Sequence, residues 1–256
     1  MKTNFHTHTL RCGHAVGTER DYVRCAAEAG FEILGMSDHT PWPGSNGVGM
    51  QPEELRDYVA ELRALKSEYA GKLDLKIGLE CEFNEQHMPW LKDQMAAHGL
   101  DYIIMGSHFG VVHGERVWFG AVTDKEGLTA YRDCTIKGLE TGMYAYLAHP
   151  ELCLRAYPQW DDAAADACRA VARACRDLKV PVEYNLEGVR ASRKGNHPGI
   201  CYPNRHFWDI AAEEGCTAII GYDAHIPETL LDDSDWQVAR RLIDEELGMK
   251  RIENIF

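Results

Sequence analysis

The sequence predicts an α/β fold, one barrel-like domain over residues 1–256 built from parallel βαβ units. Three observations predict it. Short apolar, β-rich runs alternate seven times with longer stretches of helical period. Capping residues and glycines punctuate the junctions. The length of 256 residues accommodates one large α/β barrel, or two small domains. An open doubly wound sheet is the alternative arrangement of the same units.

Taken in order, the predicted strands are Thr3–Thr7, Ile33–Ser37, Leu75–Cys81, Tyr102–Ser107, Met143–Leu147, Val180–Asn185 and Thr217–Tyr222. The helices between and after them are predicted at Glu19–Ala29, Pro52–Tyr69, Met88–His98, Lys125–Thr141, Asp161–Leu178, Asn204–Glu214 and Asp235–Glu246. The second places Leu55, Tyr58, Val59, Leu62 and Leu65 on one face, and the fifth Ala164, Ala167, Val171 and Ala174. Thr18 with Asp21 has the spacing of a capping box, and Pro203 sits where a helix can begin. Gly30, Gly71, Gly99, Gly142, Gly215 and Gly248 each follow a helical stretch, where a left-handed C-cap is easiest for glycine.

The bulk properties exclude several classes. No run of 18 apolar residues occurs, and Met1–Leu10 lacks the apolar core of a signal peptide. The nine cysteines, Cys12, Cys25, Cys81, Cys134, Cys153, Cys168, Cys175, Cys201 and Cys216, are odd in number and never spaced C-x-x-C. They read as reduced thiols, several of them small core residues, in a cytoplasmic protein. The net charge of −13 carries no basic stripe, so no nucleic-acid partner is expected. An anionic substrate would then need local cations, which metal ions supply.

The histidines carry the chemistry. Of twelve, six fall at or just past predicted strand ends: His6 and His8, His39, His108, His149 and His225. Glu80 ends the third strand, Asp223 lies two residues before His225, and His14 follows the first strand. In a (β/α) barrel these C-terminal strand ends form the active-site face. Residues two apart on a strand point the same way, so His6 with His8, and Asp223 with His225, can each aim at one centre. An isolated strand-end histidine is usually a hydrogen-bonded structural residue, and an isolated Asp223 or Glu80 a cap or salt-bridge partner. Accident at every end is a poorer account than a metal site of imidazoles and carboxylates suited to zinc, iron or manganese.

F-H-T-H-T, C-G-H-A, S-D-H-T-P, G-L-E-C-E, G-S-H-F, A-H-P-E and Y-D-A-H occur in an order that resembles the polymerase-and-histidinol-phosphatase (PHP) domain, and within it the stand-alone histidinol-phosphate phosphatases. The resemblance covers the chain from His6 to His225. It implies a distorted seven-stranded, TIM-like barrel with three divalent metal ions, Zn, Fe or Mn. It assigns His6, His8, Glu80 and Asp223 to one ion, a bridging Glu80 with His108 and His149 to a second, and His14, His39 and His225 to the third. It also implies hydrolysis of L-histidinol phosphate in histidine biosynthesis. The chemistry expected is in-line attack by a metal-bridging hydroxide without a phosphoenzyme.

Among the groups at the reacting centre, Glu80, Asp223 and His225 are the expected catalytic residues, the last two as candidate acids constrained by ligation. Arg155 and Arg190 follow the fifth and sixth strands, and the resemblance raises both as phosphate clamps. The alternative for Arg155 and Arg190 is a solvated loop charge, the ordinary state of an arginine, and Arg193, Lys194 and Arg205 come after them as candidates. Asp38 and Glu82 adjoin ligand positions and are placed to orient them. Trp42, Trp118 and Phe119 lie in loops able to shape a pocket or simply to cover the fold. His87, His98, His113, His197 and His206 have no role, and surface placement is expected for most.

Three other functions compete. A related phosphoesterase would act on nucleotides, oligonucleotide ends or another small ester. A non-catalytic metal-binding module would not need complete ligand sets, and a barrel amidohydrolase would share H-x-H but not the later pattern. The expected partner is a small phosphate ester, with no membrane.

Overall fold

The computed structural model describes residues 1–44 and 49–256. It comprises two compact units, one of residues 1–104, 221–234 and 256, the other of residues 105–220 and 235–255. Both are α/β. No helix among the described residues is long and apolar enough to cross a membrane.

The first unit is built on β1 (Thr3–Asn4), β2 (Ile33–Met36), β3 (Asp74–Cys81) and β4 (Tyr102–Met105), in that sheet order, with β1–β2 and β2–β3 parallel. Its helices are α1 (Glu19–Glu28), α2 (Leu55–Glu68) and α3 (Met88–His98). The predicted capping box of α1 is formed by Thr18 and Asp21, and Leu55, Tyr58, Val59, Leu62 and Leu65 of α2 are all buried as their spacing requires. The first strand is shorter than predicted because the chain beyond Asn4 is tied by side chains. Asn4 Nδ2 donates to His6 O at 2.9 Å and to Thr7 Oγ1 at 2.8 Å. Thr7 then makes a single parallel bridge to Ala224.

The second unit opens with the antiparallel hairpin β5 (Phe109–Val112) and β6 (Glu115–Trp118), followed by α4 (Lys125–Leu139) and α5 (Asp162–Leu178). Then come β7 (Val182–Asn185), α6 (Leu186–Arg193), α7 (Arg205–Glu213), β8 (Thr217–Gly221), α8 (Ser234–Arg241) and β9 (Lys250–Arg251). The last three strands form a sheet in the order β7-β8-β9.

Four expectations need correction here. Met143–Leu147 is not a strand: only Leu147 pairs, by parallel bridges to Met105 and Val182. Its partner segment begins with Pro181, which accepts from Leu147 N at 2.9 Å but has no N–H to return. Residues 186–193, expected as loop, form α6, started by Asn185 accepting from Gly188 N at 2.8 Å. Gly188 is required there, since a Cβ would lie 2.6 Å from the Tyr202 ring. In α5 it is Cys168, Ala172 and Cys175, not Ala174, that join Ala164, Ala167 and Val171 in the core. Phe119 is a core residue, edge-on to Tyr131 at 5.3 Å, and Trp118 ends a hairpin strand.

All nine cysteines are free thiols and seven are buried, as expected of small core residues.

Candidate metal centre

In the first unit the chain carries His6 and His8 past β1 and fastens them on both sides. His8 N donates to Ala224 O at 3.0 Å, Ala224 N to His6 O at 3.2 Å, and Ser37 N to Thr7 O at 2.9 Å. Glu80 lies in β3, and Asp223 takes a left-handed backbone with φ of 45°. His6, His8, Glu80 and Asp223 are all buried.

Their side chains converge. His6 Nε2 is 3.1 Å from His8 Nε2 and 3.4 Å from both Glu80 Oε2 and Asp223 Oδ1. His8 Nε2 is 3.3 Å from each of the same two oxygens. These five separations suit donors that share one zinc ion at bonds of about 2.0–2.2 Å to imidazole nitrogen and carboxylate oxygen. The donor set of imidazole nitrogens and carboxylate oxygens fits a divalent ion, and His6, His8 and Glu80 form one group able to hold it.

The electrostatics agree. Burial would raise the Asp223 carboxyl, but His6, His225 and His8 around it hold its pKa well below the usual range. Burial disfavours a charged His8, yet the carboxylates of Asp223, Asp38 and Glu80 around it keep its pKa well above that of a free histidine. Burial, with the charge of His8, pushes His225 down to about 3, and burial with His39 and His8 lowers His14. Near neutral pH Asp223 is thus a carboxylate and His225 a neutral imidazole with one free ring lone pair. They offer lone pairs rather than acidity.

Beside the quartet stand three more imidazoles. His39 Nε2 is 3.4 Å from His14 Nε2, and its Nδ1 is 3.1 Å from Glu80 Oε2. The His14 and His225 rings stack at 4.9 Å. His14 Nδ1 lies 3.0 Å from Cys12 O, and His225 Nδ1 3.0 Å from Asp223 O, which assigns the proton to Nδ1 and turns Nε2 outward in both. His8, His39 and His225 form one group able to hold an ion, and Cys12, His14 and His225 another. Cys12, within C-G-H, was not among the predicted ligands; its two-residue spacing from His14 is the only sequence mark it carries.

In the second unit, the rings of His108 and His149 lie 4.9 Å apart. His149 has φ of 29°, and its N–H donates to Glu183 Oε2 at 3.1 Å, which also accepts from Asn185 Nδ2 at 2.8 Å. Glu151, two residues on, accepts from Trp208 Nε1 at 2.9 Å and Asn204 N at 3.1 Å, and burial pushes its carboxyl to about 8. Sequence reasoning missed this polar network; a charged Glu183 inside an apolar strand was the available signal.

Arg155 and Arg190 are both half-buried in the second unit. Arg155 donates to Gly120 O at 3.2 Å and Asn196 O at 3.1 Å, with its guanidinium 4.8 Å from the centre of the Trp118 ring. Arg190 Nε donates to Glu187 at 2.8 Å. Arg193 and Arg205 are exposed and paired, with Asp235 and with Asp209 and Glu246, and Lys194 is exposed. Glu82 accepts the Trp42 indole N–H at 2.7 Å, and Trp42 lies near His87 and Trp90. Of the unassigned histidines, His113 and His206 are exposed, whereas His87, His98 and His197 are half-buried.

A family model described as PHP domain matches residues 4–186. A protein of Deinococcus radiodurans named a probable histidinol-phosphatase is 30% identical over 231 residues, 87% of this chain and 85% of its own length. A probable phosphatase of Shewanella sp. strain ANA-3 is 26% identical, over 88% of this chain and 77% of its own length. The crystal structure of a histidinol phosphate phosphatase from Lactococcus lactis, complexed with zinc, L-histidinol and phosphate, superposes with a TM-score of 0.73 at 19% identity, covering 98% of this chain and 95% of that one.

Proposed function

The chain belongs to the PHP domain family, and on that premise we propose that it is a metal-dependent phosphomonoesterase hydrolysing L-histidinol phosphate to L-histidinol and phosphate. The observation that carries the reading is the buried quartet His6, His8, Glu80 and Asp223, in which the two Nε2 atoms are 3.1 Å apart and each lies 3.3–3.4 Å from Glu80 Oε2 and Asp223 Oδ1. The Deinococcus relative and the Lactococcus structure with zinc, L-histidinol and phosphate support the substrate.

The quartet would hold one divalent ion and His14, His39 and His225 another, with His108 and His149 as further ligands of a third. The distorted seven-stranded barrel belongs to the same proposal. Bound ions lower the pKa of a coordinated water and neutralise the oxygens of the transferring phosphoryl group. The residues of the chain do the rest. Two members of the quartet, Glu80 and Asp223, are acidic side chains, whereas His14, His39 and His225 offer imidazoles alone. The imidazole end is therefore where an anionic ester is least repelled by a chain of net charge −13. Arg155, fixed by two carbonyls and the Trp118 ring, and Arg190, steered by Glu187, are the candidate phosphate clamps.

The test compares phosphate release from L-histidinol phosphate, nucleotides and short oligonucleotides, beside metal content. Release from L-histidinol phosphate should dominate; His108→Ala should lower both metal content and rate, and Arg190→Ala should raise KM. Release from oligonucleotides with none from L-histidinol phosphate would replace the substrate.

A further inference from the structure

Asp38 follows β2 in S-D-H and, like His8, is fully buried. One of its oxygens is committed: Oδ2 accepts from Thr9 N at 3.1 Å and from the Thr9 hydroxyl at 2.5 Å. The other, Oδ1, lies 3.7 Å from His8 Nδ1. Among the described residues neither of these two buried atoms has a hydrogen-bond partner. The opposite nitrogen of the same ring, Nε2, is a corner of the quartet.

An imidazole that gives one lone pair to a cation carries its proton on the other nitrogen. For His8 that nitrogen is Nδ1, and the acceptor facing it is Asp38. A buried carboxylate oxygen and a buried ring nitrogen, each lacking a partner, cost about 1–3 kcal/mol apiece when they stay apart. Closing about 0.7–0.8 Å from the present 3.7 Å to a normal hydrogen bond satisfies both at once. We infer that Asp38 is a positioning residue: it accepts the Nδ1–H of His8, fixes the tautomer that aims Nε2 into the quartet, and makes that nitrogen a stronger donor. The inference rests on reading the quartet as a metal site. His14 and His225 meet the same need with backbone carbonyls, so His8 is the imidazole whose support from a side chain can be removed by substitution without touching a quartet residue.

A purely structural Asp38 would only tie down Thr9, and two variants separate the roles. Asp38→Asn can keep an oxygen toward Thr9 while presenting an amide N–H to a ring that is itself a donor. Thr9→Val removes the hydroxyl contact and leaves the carboxylate facing His8. Zinc affinity would be read by competition with a chromophoric chelator, and the melting temperature in EDTA. Asp38→Asn should lose about 10–100-fold in affinity at the tightest site; Thr9→Val should melt lower yet bind zinc within about threefold of wild type. Equal affinity in Asp38→Asn, or equal losses in the two variants, would overturn the inference.

On the wild-type zinc-loaded protein, nitrogen-15 spectra of labelled histidine should show His8 ligated through Nε2, with a downfield Nδ1 proton bonded to a carboxylate. Ligation through Nδ1, or an unshifted proton, would overturn it whatever the variants do. If wild type takes up no zinc, the quartet reading itself fails; if only Asp38→Asn behaves as wild type, this inference alone falls.

Discussion

Tyr102 supports the segment that presents His6 and His8, and its surroundings permit a quantitative test. Its buried hydroxyl donates to Phe5 O at 2.7 Å and to Met36 O at 3.3 Å, and Phe5 immediately precedes His6. The ring occupies room left by two glycines. A Cβ at Gly35 would lie 2.2 Å from Tyr102 Oη and 2.9 Å from Tyr102 Cζ and Phe5 Cα, whereas one at Gly78 would meet ring carbons Cε1 and Cζ at 2.5 and 2.6 Å. Tyr102→Phe removes the donor to two carbonyls, for about 1–3 kcal/mol. Gly35→Ala overpacks the site, for about 1–3 kcal/mol. In the double variant the oxygen at the closest contact is gone, so the combined cost should fall about 1–2 kcal/mol short of the sum. Gly78→Ala is the control, because phenylalanine keeps both carbons that it strikes; with Tyr102→Phe its cost should add within about 0.5 kcal/mol. Urea unfolding of the metal-stripped protein, followed by tryptophan fluorescence and circular dichroism, gives all five values. Additivity at the Gly35 pair, or equal coupling at both glycines, would refute the packing argument.

Other outcomes follow from the same structure. Zinc held at about 100 times its dissociation constant should stabilise the protein by about 2.7 kcal/mol, raising the melting temperature by roughly 5–10 °C over the EDTA-treated form; coincident melting curves would remove the metal site. His197 is pushed down to about 4 by burial and by Arg155, so the native state keeps it neutral while the unfolded chain takes up a proton below about 6.5. Its stabilisation is therefore complete above pH 6.5 and is lost as pH falls toward 4, by about 1–2 kcal/mol once solvent screening of a half-exposed ring discounts the full linkage. His197→Gln should flatten that limb of a pH–stability profile, and an unchanged limb would discard the assignment. Trp208→Phe deprives the buried Glu151 of its indole donor at 2.9 Å and should cost about 1–3 kcal/mol in urea unfolding; an unmoved midpoint would contradict it.

The fold was legible where period and caps agree and obscure where pairing is brief. Met88–His98 has the predicted bounds because a proline opens the helix and Gly99, with φ of 54°, closes it. The predicted fifth strand is equally apolar, but its ladder is one residue long and stops at Pro181, a fact about its neighbour rather than itself. The hairpin Phe109–Trp118 was missed although its turn, His113–Gly114, holds two left-handed residues, because His113 does not advertise that conformation as asparagine would. Arg190 was expected on a loop and lies on α6, whose N-cap Asn185 was read as a strand end.

The site follows the same division between what a residue type announces and what only its surroundings decide. A two-residue spacing past a strand puts His6 and His8 on one side by geometry alone, so their convergence with Glu80 and Asp223 needed only the strand ends to be found. The partners of the far ring nitrogens are different. His14 and His225 lean on carbonyls, which every residue possesses, so no sequence pattern could mark them. His8 faces Asp38, a residue 30 positions away that reads as an ordinary strand-end acid until β1 and β2 are placed side by side. Ligand identity is written in the choice of side chain; ligand orientation is written in the register of neighbouring strands, and a histidine becomes a donor of fixed direction only when both are satisfied.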